Sequence, residues 1–212
     1  GYMQMTTETS SYSRYMLNNL ISDLEKPYTP EGSRTGLNRL SASLLEKVPD
    51  LAPEDVEMFR EGDGDATALA DEYADRLQSR AEFQTCDLEL IRVLIHLERN
   101  DNRVRSRALM WLRCLDMRST DRRWIGDAVA RIDDADPDRM IRSLASVMRA
   151  AGGSPLVLLI DQLEDMSKQD RPVERFRKVV DAITALADQN SNVVVVMACL
   201  EDYFRFHENE IG

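Results

Sequence analysis

No run of about 18 apolar residues occurs in the chain, so no membrane-crossing helix is expected. The first residues are polar and rich in Thr and Ser, without the basic-then-apolar order of a secretory leader. Cysteine is scarce. Cys86, Cys114 and Cys199 are isolated and odd in number, which disfavours a disulfide framework and points to reduced thiols in a cytoplasmic protein. The two histidines, His96 and His207, have no Cys or His partner at metal-ligand spacing, so no zinc site is expected. Internal repeats and low-complexity linkers are missing. Positive charge is also short: a net charge of −11 argues against the bulk of the surface tracking a phosphate backbone.

What is present is ordinary globular material, with 43% hydrophobic and 31% charged residues over 212 positions. That length suffices for one large domain or two small ones, with a real core. One stretch stands out, S-P-L-V-L-L-I-D-Q-L-E-D-M from Ser154 to Met166. Leu156 to Ile160 form an unbroken apolar run, opened by Gly152, Gly153 and Pro155 and closed by Asp161. So short a run reads as a strand buried on both faces, hence part of a parallel sheet. An Asp at the carboxyl end of such a strand sits where open α/β sheets bind ligands. Asp161 with Glu164 three positions on has the form of a Walker B pair, one acid for Mg²⁺ and one for water. Helix capping is the plainer reading of a lone Asp after a strand. The second acid, a helical pattern from Arg171 to Asn190 and an apolar run at Val193 to Met197 extend the stretch to a β-α-β unit, right-handed by rule.

Taken in order, the chain opens with a strand-like segment at residues 2–6. A helix follows, capped by Thr9 or Ser10, with Tyr12, Tyr15, Met16, Leu20 and Leu24 on its apolar face. Further helices are predicted over Leu37 to Val48, from Pro53, over Asp65 to Leu77 and over Leu88 to Leu97. E-G-D-G-D, Glu61 to Asp65, lacks the twelve-residue calcium pattern and reads as a turn in which Asp65 caps a helix. The acidic D-D-A-D-P-D reads as a helix start, with Asp136 as cap and Pro137 in the first turn, rather than as a metal cluster.

Between Arg99 and Arg123 the charge changes sign: eight arginines face three aspartates, a local excess of five positive charges. The simplest reading is a solvated, salt-bridged helix face. The functional reading makes Arg103, Arg105, Arg107, Arg122 and Arg123 contacts for phosphate or for a partner. Met110, Trp111, Leu112 and Leu115 within the run read as core anchors.

L-V-L-L-I-D-Q-L-E-D-M, followed by F-R-K-V-V-D-A-I-T-A-L-A and V-V-V-V-M-A-C-L-E-D-Y-F, resembles the Walker B to sensor 1 half of AAA+ and STAND ATPases. It is most similar to bacterial members whose Walker B reads D-x-x-E. Upstream, R-S-R-A-L-M-W-L-R-C, R-R-W-I-G and a D-P-capped helix resemble the helical insert of ORC/Cdc6-like bacterial ATPases, including those of bacteriophage-exclusion loci. The resemblance implies that Asp161 binds Mg²⁺ through water and that Gln162 stands where many AAA+ proteins have Glu. It implies that Glu164 positions the attacking water, and that sensor 1 falls near Cys199 to Glu201, where Ala198, Cys199 and Leu200 offer no strong donor.

The sequence contains no G-x-x-x-x-G-K-[ST], whose backbone N–H groups and Lys cradle phosphates. The expectation is therefore the later part of a longer ATPase, or a degenerate relative, that does not hydrolyse ATP unaided. Such a protein is expected to use ATP and Mg²⁺ when complete and to bind neither as this chain alone. The fold expected is α/β: an incomplete P-loop NTPase core with a small parallel sheet, mostly helical by residue count. Residues 1–30 are its first strand and helix, 31–150 a helical insertion, and 151–212 the Walker B strand, crossover helix and sensor 1 strand. The function expected is a nucleotide-driven switch in a multi-protein or DNA-associated system, antiviral defence among the candidates, working as a homo-oligomer or with a partner protein and without a membrane. The first rival is a non-catalytic module whose Arg99–Arg123 helices bind protein or nucleic acid. The second is a metal-dependent hydrolase built on Asp161, Glu164 and Asp165.

Overall fold

The computed structural model describes residues 2–4, 11–27, 32, 34–62, 65–161, 163, 171–188, 191–202 and 205. Its helices are α1 (Tyr12–Leu24), α2 (Gly36–Glu46), α3 (Pro53–Glu61), α4 (Ala66–Gln78), α5 (Leu88–His96), α6 (Asn102–Leu112), α7 (Ser119–Arg122), α8 (Asp136–Gly152) and α9 (Pro172–Asp188). The strands are β1 (Tyr2–Gln4), β2 (Leu156–Asp161) and β3 (Val193–Met197), and all pair in parallel in the order β1-β2-β3. The chain is thus α/β and mostly helical, with the sheet confined to its two ends.

The helix starts follow local chemistry. Asp65 caps α4 by accepting from the Thr67 and Ala68 N–H groups, both at 3.1 Å, and Pro53 occupies the first turn of α3. Ser11, rather than Thr9 or Ser10, caps α1, its Oγ accepting from the Arg14 N–H. Asp136 is the first helical residue of α8 and not its cap. Its carboxylate turns back to accept the Asp133 N–H at 3.0 Å, which closes the preceding turn and leaves Ala135 at the cap position. Within the arginine-rich run Trp111 is buried and its Nε1–H donates to the Val129 carbonyl at 2.8 Å, whereas Leu115 is exposed.

Helix α5 is the hub. Leu90, Ile91, Val93, Leu94 and Ile95 are all buried, and α2, α4, α6 and α8 pack around them. Each such side chain contributes on the order of 1.5–3 kcal/mol when removed from water. One apolar cluster runs from these helices through α1 to the inner face of the sheet.

The sheet departs from the sequence expectation. Burial along β2 alternates, with Leu156, Leu158 and Ile160 buried but Val157 and Leu159 41% and 43% exposed. In β3, Val194 and Val196 are exposed in the same way. The register pairs Val157 with Val194 and Leu159 with Val196, so these four residues form one bare apolar face. The reason is layering: α8 packs on β2 and α9 on β3, α1 touches both helices, and among the described residues nothing covers the opposite face. Parallel sheets are ordinarily covered on both faces.

Three positions, one of them the last residue of α5, carry stability consequences. The His96 ring is fully buried against Phe59, and neither ring nitrogen has a hydrogen-bond partner. Desolvation first, and then the Arg99 and Arg92 charges, push its pKa down to about 3. Above the ordinary value of 6.5, His96 is neutral folded or unfolded and adds no pH dependence. Below that value the unfolded chain takes up a proton that the folded chain refuses, so stability falls. Each pH unit of that fall costs up to about 1.4 kcal/mol. A His96→Leu variant should lose about 2 kcal/mol less than the parent between pH 6.5 and 5 in urea titrations; equal losses would refute the assignment. Gly126 has φ of +74°, and a Cβ there would lie 3.3 Å from Arg92 Cδ and 3.5 Å from His96 Nε2. Gly126→Ala should therefore cost about 1–2 kcal/mol in the same assay. Gly152→Ala should cost nothing or stabilise by about 0.5 kcal/mol, since Gly152 ends α8 with open space around it.

Candidate functional site

The sheet places Asp161 at the carboxyl end of its middle strand, with Gln4 of β1 beside it in register. On the other side the Ala198 N–H donates to the Ile160 carbonyl at 2.8 Å, carrying the parallel pairing one step past β3. Ala198 therefore leaves β3 alongside the end of β2, just before Cys199 to Glu201, where the resemblance puts sensor 1. Asp161 is half-buried, and the next described residue, Leu163, is anchored in the core at 2% exposure. The chain thus leaves β2 with Asp161 at the rim and Leu163 holding the turn. Gln162, Glu164 and Asp165 lie outside the described residues. Glu201 is exposed and pairs with Arg205 at 2.6 Å, one helical turn on.

The donor set can be weighed against Mg²⁺ and ATP. Mg²⁺ is commonly bound by one or two carboxylates together with water and phosphate oxygens, so a single Asp at a strand end fits its protein share. Among the described residues no group of three His, Cys, Asp or Glu side chains could hold a metal by itself. That pattern suits a metal that reaches the site with a phosphate ligand; Glu164 and Asp165, on which the carboxylate hydrolase would also rest, lie outside the described residues. The phosphate cradle is a different matter, because no Walker A sequence occurs in these residues.

The arginine-rich run is largely tied into the chain. Arg107 donates to Asp121 through Nη2 at 3.1 Å and Nε at 3.3 Å, and Arg122 donates to the Met117 carbonyl at 2.9 Å. The Arg118 and Arg107 hydrogen bonds hold the Asp121 carboxyl below its ordinary range. Arg113 donates to Glu25 at 2.6 Å, and Arg103 lies over the Trp124 ring at 5.9 Å. Arg123 is exposed. Arg105 differs from these: its Nη1 donates to a neutral group, the Asn38 Oδ1, at 2.8 Å. The run is therefore not one continuous basic face. Arg60, Arg34 and Arg39 approach Arg105 from α2 and its flanks and from α3, a grouping hidden from sequence because its members lie far apart in the chain.

No curated protein and no solved structure matches the chain. The model of a protein family does, over residues 19–204, which runs from within α1 through the other helices and the Asp161 strand to just past β3. That family is described as BREX system ATP-binding protein BrxC/D, and the chain belongs to it.

Proposed function

We propose that this chain is the Walker B and sensor 1 portion, with its helical insert, of an AAA+ or STAND-type ATPase that acts as a nucleotide-driven switch in a BREX defence system. The observation that carries the reading is the position of Asp161 at the carboxyl end of the central strand of a parallel sheet. Membership of an ATP-binding family of a defence system supports both the ligand and the setting. A multi-protein assembly fits that setting, and no described helix is long and apolar enough to cross a membrane.

In this reading Asp161 would hold Mg²⁺ through water, and Gln162 would serve as a polar neighbour of the phosphates. Glu164 orients the attacking water and accepts its proton. Bound Mg²⁺ supplies charge neutralisation on the phosphate oxygens. In this reading the apolar face of Val157, Leu159, Val194 and Val196, uncovered among the described residues, is where a second layer of the core would pack. The phosphate loop is expected to come from additional sequence. Arg103 and Arg123, both exposed, remain proposed partner contacts in this reading.

Two measurements test the proposal. The intact mass of the natural protein should exceed 24.2 kDa and include a G-x-x-x-x-G-K-[ST] segment. In that protein Asp161→Asn should lower ATP turnover at least about 100-fold, some 2.7 kcal/mol in the barrier, while its circular dichroism is unchanged. Turnover unaffected by Asp161→Asn, or a matching mass with tight Mg·ATP binding by the 212-residue chain alone, would overturn the reading.

A further inference from the structure

Helices α2 and α3 and the turn from α5 to α6 enclose a cleft of two lobes, about 560 Å³ and about 300 Å³. The lobes meet at Asn38, Arg60 and Glu98, which line both. Arg34 and Arg39 border the larger lobe, and Arg99 and Arg105 the smaller. Five guanidinium groups thus converge on one depression in a protein of net charge −11.

The carboxylates on the same walls leave two of them, Arg99 and Arg105, without an ion pair among the described residues. Glu98 is saturated: its Oε1 accepts the Ser41 hydroxyl at 2.6 Å, and its Oε2 accepts two Arg60 N–H groups at 2.7 and 3.3 Å. Asp101 caps α6 by accepting the Arg103 and Val104 N–H groups. Glu46 is exposed at the rim. Arg60 therefore has a partner, but Arg99 and Arg105 make no ion pair among the described residues. The Arg99 Nε–H is buried without a hydrogen-bond acceptor. Arg105 donates to Asn38 Oδ1, which already receives the Thr35 hydroxyl at 3.0 Å. Two cations held this close to a third, with no anion of their own, leave a charge demand that the fold does not meet.

We propose that the cleft binds a ligand carrying two adjacent phosphate groups, one in each lobe, with Arg60 at the junction. A tetrahedral phosphate accepts from guanidinium forks in several directions at once and suits arginines approaching from three segments better than a planar carboxylate does. Among the described residues no aromatic side chain lines either lobe, so recognition rests on the phosphates rather than on base stacking. The site is separate from Asp161. Its larger lobe shares Arg39 and Ser43 with the hollow that reaches Gly152 and Ser154, before the amino end of β2. Asp161 lies at the other end of that strand, about 16 Å along it.

The test is titration of the 212-residue chain at low salt with inorganic pyrophosphate, with ADP free of Mg²⁺, and with a 15-nucleotide single strand of DNA. Pyrophosphate should bind saturably. The double variant Arg99→Gln, Arg105→Gln should weaken it at least tenfold, and Arg34→Gln, at an exposed position with no role in the core, several-fold. Arg118→Gln, on the exposed flank of the arginine-rich run, and Asp161→Asn should leave binding unchanged, which separates this site from the nucleotide site proposed above. With the same variant pattern, tighter binding of the DNA strand assigns the phosphates to nucleic acid, and tighter binding of ADP assigns them to a nucleotide. The proposal is overturned if none of the three probes binds, or if binding survives Arg34→Gln and the double variant while Arg118→Gln reduces it.

Discussion

The structure depends on a helix that has no face for water. From Leu90 to Leu97 every residue of α5 and its cap is buried except Arg92, so the segment is stable only when other helices enclose it. That requirement accounts for the ring formed by α2, α4, α6 and α8, and for where charge appears. Polar groups near α5 are displaced to its ends and to one side. Arg92 lies beside Asp71 at 2.6 Å and Glu89 at 3.3 Å, and Glu98 takes Ser41 and Arg60 just past the last turn. His96 could not be displaced and stays neutral. A buried ring without partners carries the desolvation cost of its nitrogens, and the surrounding apolar contacts offset it.

The sheet obeys the opposite constraint. A three-stranded parallel sheet with helices on one face is half of the layered arrangement that such sheets require. Its inner residues join the same core as α5, and its outer residues form an apolar ladder with no layer over it among the described residues. The helical region can be complete in itself while the sheet is not.

Legibility in the sequence divides along the same line. The helices were readable wherever a 3.6-residue apolar period met a cap, as with Leu37, Leu40, Leu44, Leu45 and Val48, all buried as their spacing implies. Asp65 and Pro53 occupy the roles their chemistry predicts. The cap of α8 was misplaced by one residue, because an Asp can bond backwards to a turn as readily as forwards to a helix. The β2 run was readable as a strand but not as half-exposed. An unbroken apolar run is equally compatible with two covered faces and with one, and only the arrangement of other elements decides between them. Asp161 was legible because a strand end fixes its position locally. The arginine cleft was not, because Arg34, Arg60, Arg99 and Arg105 are brought together by three separate segments and show no common spacing.

That last contrast bears on how such chains divide their labour. An acid at a strand end is set by a few residues of local sequence. A cleft assembled from α2, α3 and the α5–α6 turn depends on the enclosure of α5, because the same packing that buries Leu90 to Leu97 fixes the distance between Arg60 and Arg105. Movement of α2 against α5 would open or close the cleft without touching β2 directly. It would still reach the sheet mechanically, since α2 packs on α8 and α8 leads through Gly153 into β2. The chain therefore has a continuous path of packed elements from an anion-attracting cleft to the strand that ends in Asp161.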